Sequence, residues 1–118
     1  MDARRILRFG EVWQAALDPI VGHEQGGTRP VIVVSADPLN EGPSQLALVV
    51  PVTRTYRGIP FHVEILPPNG GLRHRSFALC EMIPSISAER VQFRIGAVDP
   101  NTMDEIGYRL RVLLNLRP

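Results

Sequence analysis

Eleven prolines and ten glycines lie scattered along this 118-residue chain and cut it into short apolar runs. Proline lacks the N–H that a helix interior needs, and glycine pays for its backbone freedom there. Short apolar runs between regular turn signals are the pattern of strands rather than helices. No repeat, low-complexity stretch or linker interrupts the pattern. The chain therefore reads as one mostly β domain over residues 1–118, large enough for a real but small core.

The first strand is expected from Phe9 to Leu17, with Phe9, Trp13, Ala15 and Leu17 on one face and Glu11 as the exception. The second, Pro30 to Ser35, is a β-branched run with no polar face, which predicts burial on both sides. The third runs from Leu46 to Thr53, and Pro51 within it implies a bulge or an edge position. Phe61–Ile65, Phe77–Ile83 and a short Phe93–Val98 complete the expected strands, with a helical turn at Ser87–Arg90. Asn69-Gly70-Gly71 reads as a turn. The last element is a helix: Asp99 caps it, Pro100 takes its first position, and Met103, Ile106, Leu110 and Leu113 form its apolar face. Gly107 inside it costs about 1 kcal/mol against alanine unless another backbone packs there.

The net charge is +1, so no strong overall field draws a polyanion. All thirteen cationic side chains are nonetheless arginine, whose planar fork suits bidentate contacts in a local patch. The single cysteine, Cys80, sits in an apolar run and reads as a buried small hydrophobe. The start of the chain has no apolar signal segment, and no run is long enough to span a membrane. These features suggest a cytoplasmic protein without a membrane partner. His23, His62 and His74 are scattered, with no second ligand at a metal spacing, and no phosphate-loop, G-x-S-x-G or dinucleotide fingerprint is present. The expectation is no metal and no cofactor.

The chemistry concentrates in Gly22-His23-Glu24-Gln25-Gly26-Gly27-Thr28-Arg29-Pro30, between the first two strands. A connection needs only turn residues, yet this one carries an imidazole, a carboxylate, an amide and a guanidinium. Arg29 stands at the mouth of the second strand, well placed for a phosphate. If the second and third strands are neighbours, a β-bulge at Pro51 aims Thr53 towards the Arg29 end, so that a guanidinium and a hydroxyl face one cavity. Taken alone, each has an ordinary reading: a solvated or ion-paired arginine, a favoured strand threonine, an exposed loop histidine. Glu81 interrupts the expected fifth strand on the face of Phe77, Leu79 and Ile83, where a carboxylate must be paired, most simply by an arginine, or functional.

With these segments in view, the chain resembles the MazF/PemK toxins of bacterial toxin–antitoxin systems. The resemblance rests on Phe9-Gly10-Glu11-Val12-Trp13 with Leu17-Asp18-Pro19, on the Gly22–Pro30 loop, on Val31–Ser35, on Val50-Pro51-Val52-Thr53, on His62-Val63-Glu64 and on Ala78-Leu79-Cys80-Glu81. It covers nearly everything from Phe9 onward. It implies a small SH3-like β-barrel of the MazF/PemK/CcdB type with a C-terminal helix, assembled as a homodimer. It implies a metal-independent endoribonuclease that cuts single-stranded RNA, chiefly messenger RNA, through the substrate's own 2′-hydroxyl, leaving a 2′,3′-cyclic phosphate and a 5′-hydroxyl. A cognate antitoxin is the implied protein partner. The catalytic positions carried over are Arg29, Thr53, His23 and Glu81, and Glu24, Gln25, Arg54, Arg57 and His62 are the implied RNA contacts. The pattern departs at Leu79, where the plasmid-borne branch has an arginine, and at Met82 and Pro84, where the wider family often has glutamine and arginine. Base preference is therefore expected to differ. A gyrase-poison-like toxin of the same fold is one competing reading, and Arg29 with Thr53 argues against it; a non-catalytic RNA- or protein-binding toxin is another, supported by Met82 and Pro84.

Overall fold

The computed structural model describes residues 5–17 and 27–117. Seven strands form one antiparallel sheet: β1 (Glu11–Leu17), β2 (Gly27–Val33), β3 (Leu46–Thr53), β4 (His62–Ile65), β5 (Ser76–Leu79), β6 (Ser85–Ser87) and β7 (Val91–Ala97). A four-residue helix, α1 (Asp37–Asn40), follows β2, and α2 (Pro100–Leu113) closes the fold. The strand order is β4-β5-β3-β2-β1-β7, with β6 paired to β3 beside this path. Among the described residues β4 and β7 do not pair with each other, so the sheet stays open and "barrel" describes it only loosely.

The β-branched run behaves as its composition predicts. Val31 and Val33 pack on one face with Ala15, Ala47, Val49 and Ile86, while Ile32 packs on the other with Val12, Val50 and Val52. Both faces of Val31–Val33 are therefore core, and this half of β2 has no polar side to show. Met103 and Ile106 of α2 are buried on the Ile32 side, with Leu110 and Leu113 packed against them. Each such side chain contributes about 1.5–3 kcal/mol by burial, which holds the helix to the sheet. The Asp99 side chain accepts from the Thr102 N–H at 2.8 Å and caps the helix as expected. Nothing lies within 4 Å of a Cβ placed on Gly107, so no close backbone explains that glycine.

Several boundaries differ from the sequence expectation. β1 begins at Glu11, because Gly10 turns the chain at φ 87° just before it, and Phe9 is left 54 % exposed. β2 begins at Gly27 rather than Pro30, since its pairing with β1 continues to Leu17. Pro51 marks neither an edge nor a bulge. β3 is an interior strand whose register with β2 runs evenly through Val31↔Pro51, Ile32↔Val50 and Val33↔Val49. On its other side β3 pairs with β6 through residues 46–48 and with β5 through 52–53. Pro51 sits where one neighbour hands over to the next, so its missing N–H breaks no ladder. The fifth strand ends at Leu79, where a 3₁₀ turn takes up Cys80–Met82. The strand after it, β6, is three residues long, below what periodicity detects.

The Asn69-Gly70-Gly71 turn locks elements together. Gly70 and Gly71 adopt φ 71° and 76°, which glycine reaches without strain. A Cβ on Gly96 of β7 would fall 2.5 Å from the Gly70 carbonyl oxygen, so the two backbones touch. The Asn69 side chain accepts from the Asp99 N–H at 3.0 Å and donates to Thr102 Oγ1 at 2.8 Å, tying the turn to the start of α2.

Candidate active site

Continuing the β2–β3 register two residues beyond Val31↔Pro51 sets Arg29 opposite Thr53. The β2–β3 ladder itself ends at Val31↔Pro51, and Arg29 and Thr53, twenty-four positions apart in sequence, lie just beyond it on the two strands. Arg29 lies inside β2, across from Ala15 of β1, rather than at a strand mouth. Its Nη1 donates to the Val52 carbonyl at 3.4 Å. Its Nε is buried and finds no hydrogen-bond partner among the described residues. Burial pushes the guanidinium pKa below its ordinary range. Thr53 Oγ1 accepts from the Thr55 N–H at 3.2 Å, so its own hydrogen remains available for donation.

Arg29 and Thr53 both line an open cleft of about 910 Å³. Arg54, Arg73, Arg94 and His74 line it too, and no Asp or Glu does among the described residues. Arg54 and Arg73 have no ion-pair partner among those residues. Arg94 is held by Glu11 at 2.8 Å. Burial alone pushes the Glu11 carboxyl up. Hydrogen bonds from Trp13 Nε1, Arg94 Nε and the Arg8 N–H outweigh it and, with the Arg94 charge, hold the carboxyl below its ordinary 4.5. Glu11, the exception to alternation in the first strand, is thus fully engaged. A cleft lined by guanidinium groups and free of carboxylates favours a polyanion.

The remaining predicted residues divide. His23, Glu24 and Gln25 lie outside the described residues. Arg54 joins the cleft, whereas Arg57 is exposed and is not among its lining residues. His62 and Glu81 meet each other instead: His62 Nε2 stands 2.9 Å from Glu81 Oε2, with the histidine side chain 4 % and the glutamate side chain 32 % exposed. Glu81 therefore does not sit in the apolar face of a strand. The 3₁₀ turn after Leu79 lifts it out, and its partner is a histidine rather than an arginine. Neither residue lines the cleft that holds Arg29 and Thr53.

The three departures have structural roles. Leu79 is 2 % exposed and fills the core, Met82 closes the 3₁₀ turn, and the Pro84 carbonyl accepts from the Val49 N–H at 3.0 Å. Sequence reasoning missed Arg73 and Arg94. The signal for Arg73 was the basic triplet Arg73-His74-Arg75 directly after a turn, whereas Arg94 had no local signal and is delivered by the β1–β7 pairing. No group of three or more His, Cys, Asp or Glu side chains suited to a metal ion occurs among the described residues. Cys80 is buried and its thiol is pushed up to about 12, chiefly by burial, so it is no nucleophile. No helix among the described residues is long and apolar enough to cross a membrane.

The sequence profile of the PemK-like, MazF-like toxins of type II toxin–antitoxin systems matches residues 8–114. The chain belongs to this family. It is 36% identical over 113 residues to Endoribonuclease EndoA of Bacillus subtilis, covering 94% of this chain and 97% of that protein. A crystal structure of MazF from Deinococcus radiodurans superposes with a TM-score of 0.82 at 26% identity, over 95% of this chain and 99% of the other. A MazE–MazF crystal structure from the same organism gives a TM-score of 0.78 at 25% identity, over 96% and 99%. The fold expected from the resemblance, mostly β with a C-terminal helix, is the fold these toxins have.

Proposed function

We propose that this protein is the toxin of a type II toxin–antitoxin pair and acts as a metal-independent, sequence-selective endoribonuclease on single-stranded RNA. One observation carries the reading beyond family membership: Arg29 and Thr53 converge on a cleft whose ionic lining is entirely cationic among the described residues. An RNA backbone supplies the missing negative charge.

In this mechanism the ribose 2′-hydroxyl adjacent to the scissile linkage attacks phosphorus. The bond to the 5′-oxygen of the next nucleotide breaks, leaving a 2′,3′-cyclic phosphate and a 5′-hydroxyl. Arg29 stabilises the charge that builds on the phosphoryl oxygens, and its burial in the cleft strengthens that interaction. Arg29 is also the proposed donor of a proton to the departing 5′-oxygen. Thr53 donates its hydroxyl hydrogen to a non-bridging oxygen and orients the phosphate. His23, whose ordinary pKa lies near 6.5, is the proposed acceptor of the 2′-hydroxyl proton. Arg54, Arg73 and Arg94 hold flanking phosphates. Glu81 and His62, already paired with each other, act by holding the end of β4 against the turn that follows β5.

The proposal includes a homodimer and a cognate antitoxin bound over the cleft. An acidic, extended segment complements that cleft as RNA does and becomes ordered when it binds. The test is incubation of the purified protein with a long RNA in EDTA, followed by mapping of the ends. Discrete cuts bearing 5′-hydroxyl and cyclic-phosphate termini are expected. Intact RNA after exposure to the folded protein would remove the nuclease reading and leave a binding toxin in its place.

A further inference from the structure

The segment between β3 and β4 carries an aromatic ring that the fold braces without covering. Tyr56 is 65 % exposed. The Arg75 guanidinium carbon stands 5.4 Å from the Tyr56 ring centroid and 5.0 Å from that of Phe77. The two rings lie 5.6 Å apart, tilted by 55°. Arg75 is itself fixed by an ion pair with Glu64. Gly58, at φ 66°, curls the chain back so that a Cβ there would be 3.2 Å from the Tyr56 hydroxyl oxygen. A ring held from three directions while most of its surface meets water is set up for contact, because little rotamer freedom is left to lose on binding.

Its position gives the contact a chemistry. Thr53 of β3 pairs directly with Phe77 of β5, so this aromatic group stands one strand away from the proposed reacting centre. On either side along the chain, Arg54 and Thr55, and then His74 and Ser76, line the cleft. A single-stranded RNA whose phosphates follow those arginines presents its bases to the neighbouring surface, and Tyr56 is the exposed ring beside Arg54 and Arg75, Phe93 being a second exposed ring in the cleft wall itself. Every base has a π face, and base–aromatic stacking is how unpaired nucleotides are held alongside a cationic groove.

We propose that Tyr56, backed by Arg75 and Phe77, is a stacking platform for one unpaired base of the RNA that occupies the Arg29–Thr53 cleft. This rests on the endoribonuclease reading and adds to it a base subsite outside the reacting centre. The base is held by its face, so the platform contributes affinity and register at one flanking nucleotide without selecting its identity strongly.

The experiment uses a 2′-O-methyl RNA twelve-mer, which cannot be cut, containing the cut site mapped for the wild-type protein. Tyr56→Ala and Tyr56→Leu are each expected to weaken binding by about tenfold. Leucine keeps apolar cover over Phe77 but has no π face, so it separates stacking from packing. Tyr56→Phe and Tyr56→Trp are expected to bind within about twofold of wild type, the tryptophan with a fluorescence change that the other variants lack. The salt dependence of binding stays the same in all four, because stacking releases no counterions. Wild-type affinity in the leucine variant, or a tryptophan whose emission ignores the RNA, overturns the platform while leaving Arg29-dependent cleavage intact. A wild-type protein that neither cuts nor binds RNA overturns the endoribonuclease reading itself.

Discussion

Two polar constellations stand in this molecule, and they were equally prominent as residues on a line. Around Arg29 the fold gathers cations without a carboxylate in the lining, buries the guanidinium Nε with no partner among the described residues, and leaves Arg54 and Arg73 unpaired among those residues. Around Glu81 the fold does the opposite: the carboxylate and the His62 imidazole meet at 2.9 Å and engage each other. The first arrangement is costly until something anionic arrives, whereas the second already gives its carboxylate a partner and leaves His62 Nδ1 as its one buried nitrogen without a hydrogen bond among the described residues. A site that must act on an outside partner keeps its charges unpaired, whereas a carboxylate that supports the fold finds its partner within it.

Arg29→Ala probes the contrast hardest. Cleavage is expected to fall by about 10²–10³-fold in kcat. The melting temperature should hold or rise, because the removed group includes an unsatisfied buried nitrogen. A loss of both activity and stability would place Arg29 with the structural pairs instead. Arg73→Ala comes next. It is expected to lower the salt slope of RNA binding by about 0.7 and to leave kcat at saturating RNA unchanged, as measured by affinity across a salt series.

Glu81→Gln tests the other side. It is expected to lose up to about 1 kcal/mol of stability and to leave cleavage within about threefold of wild type. A fall as deep as that of Arg29→Ala would move the His62–Glu81 pair into the catalytic machinery. Glu11→Gln sharpens the comparison most finely, since Glu11 restrains Arg94 at the rim of the cleft. Freed of its partner, Arg94 is expected to tighten RNA binding by less than about fivefold. The folded Glu11 carboxyl lies below its ordinary 4.5. Its stabilisation is therefore present above that value and lost as pH falls through the lower folded one. Melting curves of wild type and variant should separate at neutral pH and converge in acid.

Much of the architecture was legible because burial leaves a mark on composition. A β-branched run without a polar face had to be interior, and Asp99-Pro100 with its apolar spacing had to start a helix. Arg29 and Thr53 were legible as a pair only through the family resemblance and the assumption that β2 and β3 are adjacent. Pro51 misled because its effect depends on which strand lies beside it, a fact of topology and not of residue type. Glu81 misled because alternation was extended past Leu79, where the backbone turns into 3₁₀ geometry. Arg94 reaches the cleft through pairing between the first and last strands, which no local pattern encodes.

The Asn69-Gly70-Gly71 clasp has a mechanical consequence. Its asparagine fastens the beginning of the terminal helix, while Gly71 and the two residues after it form part of the cleft wall. Fraying of that helix and loosening of that wall are thereby one event. The Leu72 and Thr102 amides should exchange with solvent in concert, so heat or a partner that disturbs the end of the chain would slacken its grip on a phosphate many residues away.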